Sequence, residues 1–495
     1  MNDDPLQAWE GRPMTANEPR FHLPGMLIGG EWTPTGENGQ AEVRAPYDGA
    51  LVARVPAGGP RDVDRAVRAA AEALRRDDFP RSDRVRVLEQ TAAALNDRRD
   101  HFARAIALES AKPLKTARVE AARAVETFAF AAAEARTFTG DVVPMDATPP
   151  GAHKTGFTLR VPVGVVAAIS PFNFPLNLVA HKVAPAIAAG CPVVLKPASQ
   201  TPVSALLLAE LLDGLGVPAG WINVVTGGGG TVGDALATHD DVAYVTFTGS
   251  AEVGWAMAAK APRKKVRLEL GSNSPLIVDS PSDWQTAASK VSMAGFAHAG
   301  QSCISTQRVY VHRGIAGGFL DELLPRVEDL RLGDPMDEHT DVSCLITRDD
   351  TARMKEWVNE AVAGGAKLLT GGEAIDHGVF RPTVLEGPPA GTRVQCEEIF
   401  GPIITVTRYD DFDEALQMAD ESRYGLQAGV FTTDLGKALK AARSLHFGGV
   451  LINDVPTSRA DQQPYGGVRD SGNTREGPAY AIQEMTETRL ITLQP

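Results

Sequence analysis

Residues 163–198 read VGVVAAISPFNFPLNLVAHKVAPAIAAGCPVVLKPA, and this stretch decides the fold. Two short apolar runs, VGVVAAIS and PVVLKPA, enclose a helical pattern, NLVAHKVAPAIAAG. Short apolar strands separated by helical patterns are typical of a parallel sheet with helices on its faces. The alternation continues through TPVSALLLAELLDGLG, WINVVTG, GDALATH and VAYVTFTGS, which ends at residue 250. We therefore expect an α/β, nucleotide-binding architecture in this part of the chain.

The sequence outside this stretch predicts further units. Apolar residues recur at helical spacing over 62–138, whereas residues 140–164 are rich in Gly, Pro and Thr and predict a projecting extended arm. A second alternation of strands and helices runs from SPLIVDS (274–280) to GGVLIND (448–454). The tail predicts a helix and then a strand that pairs with the arm of a neighbouring chain. The expected division is an N-terminal extension (1–20), a nucleotide-binding domain (21–139 and 161–270), a second α/β domain (271–454) and an oligomerisation arm (140–160 and 478–495).

Composition and charge exclude several classes of protein. The 495 residues include 62 acidic and 49 basic ones, a formal charge of -13, which disfavours a nucleic-acid partner. The four cysteines show neither CxxC spacing nor a disulfide framework, which favours a reducing compartment, and we expect no metal site. The N-terminal MNDDPLQAWEGRPM lacks the apolar core of a signal peptide, and apolar runs are far shorter than the roughly 20 residues of a membrane helix. We expect a cytoplasmic protein without a membrane partner.

The segment ISPFNFPLNL (169–178) lies between a predicted strand and a predicted helix. Two prolines stiffen this turn, and the amide of Asn173 lies between two aromatic residues, where it can donate into a dry site. In acyl chemistry such a donor stabilises an oxyanion. The alternative is a turn asparagine that bonds its own backbone.

Lysine and glycine residues follow the next strands. Lys196 ends the strand of VVLKPASQTP, at the sheet edge where α/β proteins bind cofactors, although an ordinary surface lysine is the alternative. TGGGG (226–230) and FTGS (247–250) also follow strands, and FTGS opens a helix whose backbone N–H groups suit a pyrophosphate. Neither has GxGxxG spacing, so ordinary glycine turns remain the alternative.

Three acidic residues and one cysteine complete the candidate set. Glu269 lies in the apolar run VRLELGSNSPLIV (266–278), where burial would raise its pKa and suit a general base, whereas an edge-strand glutamate would face water. Cys303, in AHAGQSCISTQR (297–308), is either a nucleophile or an inert small residue. Glu397 and Glu398 of CEEIFGPI are either ribose ligands or part of a solvated acidic loop.

Together these segments resemble one family, the aldehyde dehydrogenase superfamily. The resemblance runs from about residue 25 to the C-terminus and rests on PFNFP, LKPASQTP, FTGS, LELG, GQSC, EEIFGP and PYGGVRDSG (464–472). It implies the aldehyde dehydrogenase-like fold, with a Rossmann-like cofactor domain, a catalytic α/β domain and a β oligomerisation arm, in a homodimer or homotetramer.

The resemblance also implies roles. Cys303 attacks the aldehyde carbon, Asn173 and the Cys303 backbone N–H hold the oxyanion, and Glu269 activates the water that hydrolyses the thioester. NAD or NADP accepts the hydride. Lys196 and Glu398 are implied to hold ribose hydroxyls, Gly249 and Ser250 the pyrophosphate, and Phe400 the nicotinamide-side ribose. The full implied cofactor set is Ile169, Ser170, Phe172, Lys196, Ser199, Gly249, Ser250, Val253, Gly254, Leu270, Glu398 and Phe400.

The chain departs from the common family pattern at positions near cofactor and substrate. Ser199 replaces a glutamate found in many NAD-specific members, so NADP is allowed as well as NAD. Phe172 replaces the tryptophan of PWNFP, and Ser272 replaces the second glycine of ELGG, which alters the expected shape of the pocket.

The C-terminal segment is most similar to the branch of lactaldehyde, phosphonoaldehyde and succinic semialdehyde dehydrogenases. Where many of these read PTFRVDHMPYGG, this chain has Ser458 and Gln462 in place of Phe and His. Arg308 and Arg459 are candidate anchors for an anionic tail, since guanidinium binds carboxylate or phosphonate bidentately, or else they are structural arginines. We expect oxidation of a small polar or anionic aldehyde. Transfer of the acyl group to coenzyme A and a non-catalytic member of the fold are the alternatives.

Overall fold

The computed structural model describes residues 17–494, so residues 1–16 of the predicted N-terminal extension lie outside the described residues. The first part of the chain forms short strands and then four helices, which confirms the helical prediction for 62–138. In the first helix, apolar residues at helical spacing, Val63, Ala66, Val67, Ala70 and Ala73, form its buried face. The elements are β1 (Met26–Ile28), β2 (Glu31–Thr33), β3 (Gln40–Arg44), β4 (Leu51–Pro56), α1 (Pro60–Arg76), α2 (Arg81–Asp97), α3 (Arg99–Ser110) and α4 (Leu114–Thr137).

The next segment contains the strands of the arm and the first parallel sheet. Strands and helices alternate as the apolar runs predict. The elements are β5 (Val142–Val143), β6 (Thr155–Pro162), β7 (Val165–Ile169), α5 (Asn177–Ala189), β8 (Val193–Lys196), α6 (Val203–Gly214), β9 (Ile222–Val224), α7 (Asp234–Thr238), β10 (Val242–Thr248), α8 (Ala251–Lys260) and β11 (Lys265–Glu269).

The first sheet has the strand order β11-β10-β7-β8-β9-β1-β2, and β7 to β11 are parallel. Its register brings the candidate residues to one edge. Ile169 pairs with Lys196 on one side and with Phe247 on the other. Thr248 pairs with Glu269 at the end of β11. The carboxyl ends of these strands therefore form a single crevice, where α/β sheets bind their ligands.

The second sheet has the order β14-β15-β16-β13-β12-β17-β18, in which only β14 is antiparallel to its neighbour. This confirms the α/β fold class predicted for both halves of the chain. The elements are β12 (Pro275–Val278), α9 (Trp284–Ala294), β13 (Arg308–His312), α10 (Arg313–Glu328), α11 (Arg348–Ala363), β14 (Lys367–Thr370), β15 (Thr383–Glu386), α12 (Arg393–Cys396), β16 (Ile403–Tyr409), α13 (Phe412–Asp420), β17 (Gln427–Phe431), α14 (Leu435–Ser444) and β18 (Gly449–Ile452).

The tail forms α15 (Pro478–Glu484) and β19 (Thr486–Leu493). β19 pairs antiparallel with β6 of the same chain, from Thr486 opposite Pro162 to Leu493 opposite Thr155. The expected strand and its partner segment are therefore present, and they pair with each other inside one chain. Within residues 17–494, no helix combines the length and apolar character needed to cross a bilayer.

A returning segment joins the two large sheets where the candidate residues lie. Leu270 N–H donates to the Ser471 carbonyl oxygen at 3.0 Å, and Ser471 Oγ donates to the Gly271 carbonyl oxygen at 2.7 Å. Glu269 also forms an isolated β-bridge with Gly472. The segment after β18 thus packs against the end of β11, and the site is built from both sheets.

Candidate active site

Cys303 lies in a tight loop between a 3-10 turn, Ala297–Gly300, and β13. The turn requires glycine at position 300, because Gly300 has φ +71° and a Cβ there would lie 2.1 Å from the carbonyl oxygen of Gly401. The thiol of Cys303 is half-buried, and its sulfur lies 2.8 Å from the hydroxyl oxygen of Tyr465. The loop therefore presents the sulfur at a fixed position between the two sheets.

Two effects act on the Cys303 thiol in opposite directions. Burial raises its pKa to about 12, and the negative charges of Glu398 and Glu269 also raise it. The hydrogen bond from Tyr465 and the positive charge of Arg459 lower the pKa. Since burial dominates, the free protein holds this sulfur as a thiol at neutral pH.

Asn173 belongs to the turn between β7 and α5 and is buried. Its Nδ2 donates to the carbonyl oxygen of Gln301 at 2.9 Å, which joins the turn to the cysteine loop. A primary amide has two N–H donors, so the second stays available for an oxygen held near the sulfur. The geometry suits an oxyanion donor better than a turn asparagine that bonds its own backbone.

Glu269 is the last residue of β11 and is buried, which matches the prediction of a strand glutamate in an apolar environment. Neither of its carboxylate oxygens has a hydrogen-bond partner among the described residues. Burial, and then the charge of Glu476, raise its pKa well above the usual carboxyl range. A carboxylate with free lone pairs and a raised pKa is suited to accept a proton from water.

At the edge of the first sheet, polar atoms are left without partners where a cofactor would bind. Ser170 Oγ, after β7, and Thr248 Oγ1, at the end of β10, are buried and have no hydrogen-bond partner in the described part of the chain. The ammonium of Lys196 donates to the Pro197 carbonyl oxygen at 2.9 Å, and burial lowers its pKa to about 8. Lys196 is therefore not an ordinary surface lysine.

The FTGS segment forms the N-terminus of α8, as predicted. Ser250 is its N-cap and accepts from Val253 N–H at 3.4 Å, and Gly249 N–H donates to the Glu269 carbonyl oxygen at 3.1 Å. Gly254 packs against Leu270, where a Cβ would lie 2.5 Å from a leucine methyl group. Val253 is exposed, so this face of the helix is available to a ligand.

The acidic pair divides into one inward and one outward residue. Glu398 accepts from Ser272 N–H at 3.1 Å and lies against Gly271, where a Cβ would be 2.1 Å from its Oε2. Burial raises the pKa of Glu398 to about 8. Glu397 instead forms a 2.7 Å ion pair with Arg423. Glu398 therefore lies beside the residues that follow β11, whereas the Glu397 side chain is partly exposed.

Three further candidates flank the crevice. The rings of Phe172 and Phe400 meet edge to face, with centroids 5.7 Å apart. Phe400 has φ +48°, a strained value that this loop imposes on a non-glycine residue. Ser199 is exposed, and its hydroxyl donates to the Gly227 carbonyl oxygen at 2.8 Å. No acidic group occupies position 199.

The structure also shows a buried charge network that the sequence analysis missed. Arg459 donates to Glu476 at 3.1 Å, and its Nη2 lies 3.2 Å from His181 Nε2. His181 lies 3.0 Å from Asp461, which accepts two bonds from Arg123. Lys182 in turn pairs with Glu476 at 3.3 Å. No local pattern links these residues, because Arg123 lies in α4, His181 and Lys182 follow PFNFP, and the other three flank PYGGVRDSG.

Arg308 is not brought into this site. It is 2% exposed, and its guanidinium donates to backbone carbonyl oxygens of Asn273, Met418 and Ala419 at 2.9–3.2 Å. These contacts occupy the guanidinium inside the second sheet. They favour a structural role for Arg308 over a role as substrate anchor. Of the two candidate anchors, Arg459 alone lies near the cysteine.

Comparisons with known proteins agree with this geometry. The aldehyde dehydrogenase family model matches residues 32–491. A 3-sulfolactaldehyde dehydrogenase of Priestia aryabhattai is 44% identical over 469 residues, or 95% of this chain and 98% of the relative. A lactaldehyde dehydrogenase of Methanococcus aeolicus is 36% identical over 471 residues, or 94% of this chain and 99% of the relative.

A solved structure has the same fold. Aldehyde dehydrogenase 21 of Physcomitrella patens, crystallised with the reaction product succinate, has a TM-score of 0.92 and 38% identity, covering 96% of this chain and 99% of that one. Other related structures of this fold contain NADP or NAD+. The match over nearly the whole chain confirms the resemblance seen in the sequence: the protein belongs to the aldehyde dehydrogenase family.

Proposed function

We propose that the protein oxidises a small anionic aldehyde to the carboxylic acid, with Cys303 as nucleophile, Asn173 as oxyanion donor and Glu269 as general base. The observation that carries the proposal is the convergence of these side chains. The Asn173 amide is bonded to the Cys303 loop at 2.9 Å, and the unpartnered Glu269 carboxylate acts on the same thiol electrostatically. Family membership supports the reaction type.

In the first step the Cys303 thiol loses its proton to solvent, the sulfur bonds to the aldehyde carbon, and the electron pair of the carbonyl π bond moves to the oxygen, which becomes negative. The free N–H of Asn173 and the backbone N–H of Cys303 donate to this oxygen. Such donors are in place before the charge develops, which makes them more effective than water. Sulfur suits both halves of the reaction, because it is a good nucleophile and a good leaving group.

NAD or NADP is the proposed cofactor, and the residues at the sheet edge fit it. Support comes from the unpartnered hydroxyls of Ser170 and Thr248 and from the buried ammonium of Lys196. Lys196 and Glu398 would hold ribose hydroxyls, and the α8 N-terminus at Ser250 would hold the pyrophosphate. When bound, the nicotinamide supplies the hydride acceptor that aldehyde oxidation needs. Ser199 leaves room for either dinucleotide, since it carries no charge that would repel a 2′-phosphate.

The rest of the proposed cofactor set surrounds these contacts. Backbone and side-chain packing at the crevice would shape the site rather than bond the cofactor. These residues are Ile169, Phe172, Gly249, Val253, Gly254, Leu270 and Phe400.

In the last step Glu269 takes a proton from water, the water oxygen bonds to the thioester carbon, and the carbon–sulfur bond breaks. The proton held by Glu269 then passes to the departing sulfur, so that the products are the carboxylic acid and the Cys303 thiol. The raised pKa of Glu269 matches this role, because a stronger base removes a proton from water more readily. The missing hydrogen-bond partners of its carboxylate leave both oxygens free for that water.

An anionic tail is proposed because a buried cation lies beside the nucleophile. Arg459 is 5% exposed at its side chain, its Nε has no partner among residues 17–494, and its charge acts on Cys303. Guanidinium binds carboxylate and sulfonate oxygens well. The names of the relatives, sulfolactaldehyde dehydrogenase and a succinate complex, support the same class of substrate.

We also propose how the chain divides into domains, how its subunits join and in which compartment it works. The two large sheets would correspond to a cofactor domain (21–139 and 161–270) and a catalytic domain (271–454), and the arm (140–160 and 478–495) would join subunits of a homodimer or homotetramer. Exposed apolar side chains on the arm, Val142, Leu159, Leu490 and Leu493, support this role. All four cysteines are free thiols, which suits a reducing cytoplasm.

The test is turnover of short aldehydes with neutral, carboxylate, sulfonate and phosphonate tails, each with NAD and with NADP. We expect the highest kcat/KM for one of the anionic aldehydes, and loss of turnover in Cys303→Ala with retained cofactor binding. Turnover that persists in Cys303→Ala would refute the proposed nucleophile. A uniform preference for neutral aldehydes would refute the proposed substrate class. Turnover that requires added coenzyme A and yields its acyl thioester would refute the hydrolytic step.

A further inference from the structure

Tyr465 contacts the candidate nucleophile directly. Its hydroxyl oxygen lies 2.8 Å from the Cys303 sulfur, well within hydrogen-bond distance for a sulfur atom. The two residues also share a small apolar cluster with Ile304 and Leu426. The hydroxyl is thus a polar group in direct contact with the sulfur.

The position of the Tyr465 ring is determined from several sides. The ring is 2% exposed, and the Arg459 guanidinium carbon lies 3.7 Å from its centroid. The backbone is held by a bridge to Glu476, whose carbonyl oxygen accepts from Tyr465 N–H at 3.1 Å. A ring stacked on a buried guanidinium and tied through its backbone has little freedom to turn its hydroxyl away from the sulfur.

We propose that Tyr465 is a positioning residue for Cys303, whose hydroxyl donates a hydrogen bond to the sulfur and favours the thiolate needed for attack on the aldehyde. Arg459 supports this hydroxyl from the face of the ring. The inference rests on the proposed function, because it takes Cys303 as the nucleophile, and it assigns to Tyr465 no contact with substrate or cofactor.

The charges around the sulfur explain why such a donor is needed. Burial opposes the thiolate, and the carboxylates of Glu269 and Glu398 oppose it further, whereas Arg459 and the Tyr465 hydroxyl favour it. Burial raises the pKa of Tyr465 well above its ordinary value, so its hydroxyl keeps its proton and acts as a donor. A hydrogen bond to a charged acceptor is about twice as strong as one between neutral groups. When the thiol ionises, its proton leaves to solvent and the tyrosine stays protonated.

The experiment measures the rate at which iodoacetamide alkylates Cys303 as a function of pH, in the full-length enzyme and in Tyr465→Phe. The substitution keeps the ring and its contact with Arg459. We expect alkylation at neutral pH to slow by about tenfold, and the inflection of the profile to shift upward by about one pH unit. A tyrosine that only fills space would leave the inflection unchanged.

Tyr409→Phe is the matched control. Tyr409 is also buried in the second sheet, and its hydroxyl donates to the Val278 carbonyl oxygen at 3.3 Å, away from the cysteine. The pH profile of Cys303 alkylation in Tyr409→Phe should match that of the wild type. An unchanged inflection in Tyr465→Phe, or faster alkylation, would overturn the inference. If Cys303→Ala also retained turnover, the proposed function itself would fail, which is a separate result.

A second measurement keeps the hydroxyl of Tyr465 and changes its strength as a donor. Replacement of the seven tyrosines by 3-fluorotyrosine makes each hydroxyl a stronger donor, so the inflection for Cys303 should shift downward. The same replacement in the Tyr465→Phe background should leave that variant's inflection where it is. A downward shift of equal size in both backgrounds, or no shift in either, would overturn the role of Tyr465.

Discussion

The amide nitrogen of Asn173 lies 2.9 Å from the carbonyl oxygen of Gln301, although 128 residues separate the two in sequence. This bond ties the turn after β7, in the first sheet, to the cysteine loop before β13, in the second. It uses one amide donor and leaves the other for chemistry. The relative position of the proposed oxyanion donor and the proposed nucleophile thus depends on a contact between the two sheets.

Asn173→Ala should reduce kcat/KM by about 100- to 1,000-fold, because it removes an oxyanion donor that acts mainly in the transition state. Binding of NAD or NADP should change little, which fluorescence titration of the dinucleotide checks. Asn38→Ala is the control, since Asn38 also donates its amide to a backbone carbonyl, that of Gly58 at 3.0 Å. A loss of similar size in both variants would contradict the oxyanion role.

Glu269→Gln should stall after the cysteine is acylated, because glutamine cannot take a proton from water. Rapid mixing should record a burst of reduced cofactor, followed by a steady-state rate that is lower by about 100- to 10,000-fold. A steady-state rate equal to that of the wild type would show that another group activates the water.

The pH profile of the wild type should reflect the raised pKa of Glu269. The base works when deprotonated, so kcat should fall as the pH is lowered through that pKa, which burial places well above the ordinary carboxyl value of 4.5. Steady-state kcat measured from pH 5 to 9 checks this. An acid limb that begins only below the ordinary carboxyl range would contradict the assignment.

Lys196→Met should weaken cofactor binding by about tenfold or more, because it removes a charged donor from a buried site. In the wild type, affinity should fall as the pH rises through about 8, where the ammonium loses its proton. Calorimetric titration at pH 7 and pH 9 measures both effects. Lys260→Met is the control, since Lys260 is exposed and ion-paired with Asp234. A pH dependence that survives in Lys196→Met would assign it to another group.

Arg459→Lys should lower the ratio of kcat/KM for succinic semialdehyde to that for butanal by about tenfold, because lysine keeps the charge but loses the bidentate geometry. Arg308→Lys should lower Tm and leave this ratio unchanged, since Arg308 bonds backbone carbonyl oxygens inside the second sheet. Equal ratios in wild type and Arg459→Lys would exclude Arg459 as the tail anchor.

Much of this arrangement was predictable because strand and helix patterns are local. The alternation after residue 163 predicted the parallel sheet, and Lys196 ends its strand as that pattern predicts. Glu269 was predicted inside an apolar strand, and it is the last residue of β11. The resemblance of their motifs to the aldehyde dehydrogenase family is what linked Asn173, Glu269 and Cys303 in one site.

Local sequence patterns could not predict the contacts between distant segments. Arg308 and Arg459 were equivalent candidates in the sequence, and only packing shows that one donates to carbonyl oxygens in a sheet while the other lies on Tyr465. Tyr465 itself carries no local signal, because its partner sulfur is 162 residues away. The pairing of β19 with the chain's own β6 likewise depends on where α15 packs, not on the strand's own sequence.

We propose above all that Cys303 carries the acyl group until Glu269 allows water to release it. The most direct measurement is mass spectrometry of peptides from Glu269→Gln, quenched in acid during turnover of succinic semialdehyde with NAD or NADP. We expect a succinyl adduct on the peptide that contains Cys303, and none on Cys191, Cys344 or Cys396. Absence of the adduct while reduced cofactor accumulates, or an adduct on another cysteine, would contradict the claim.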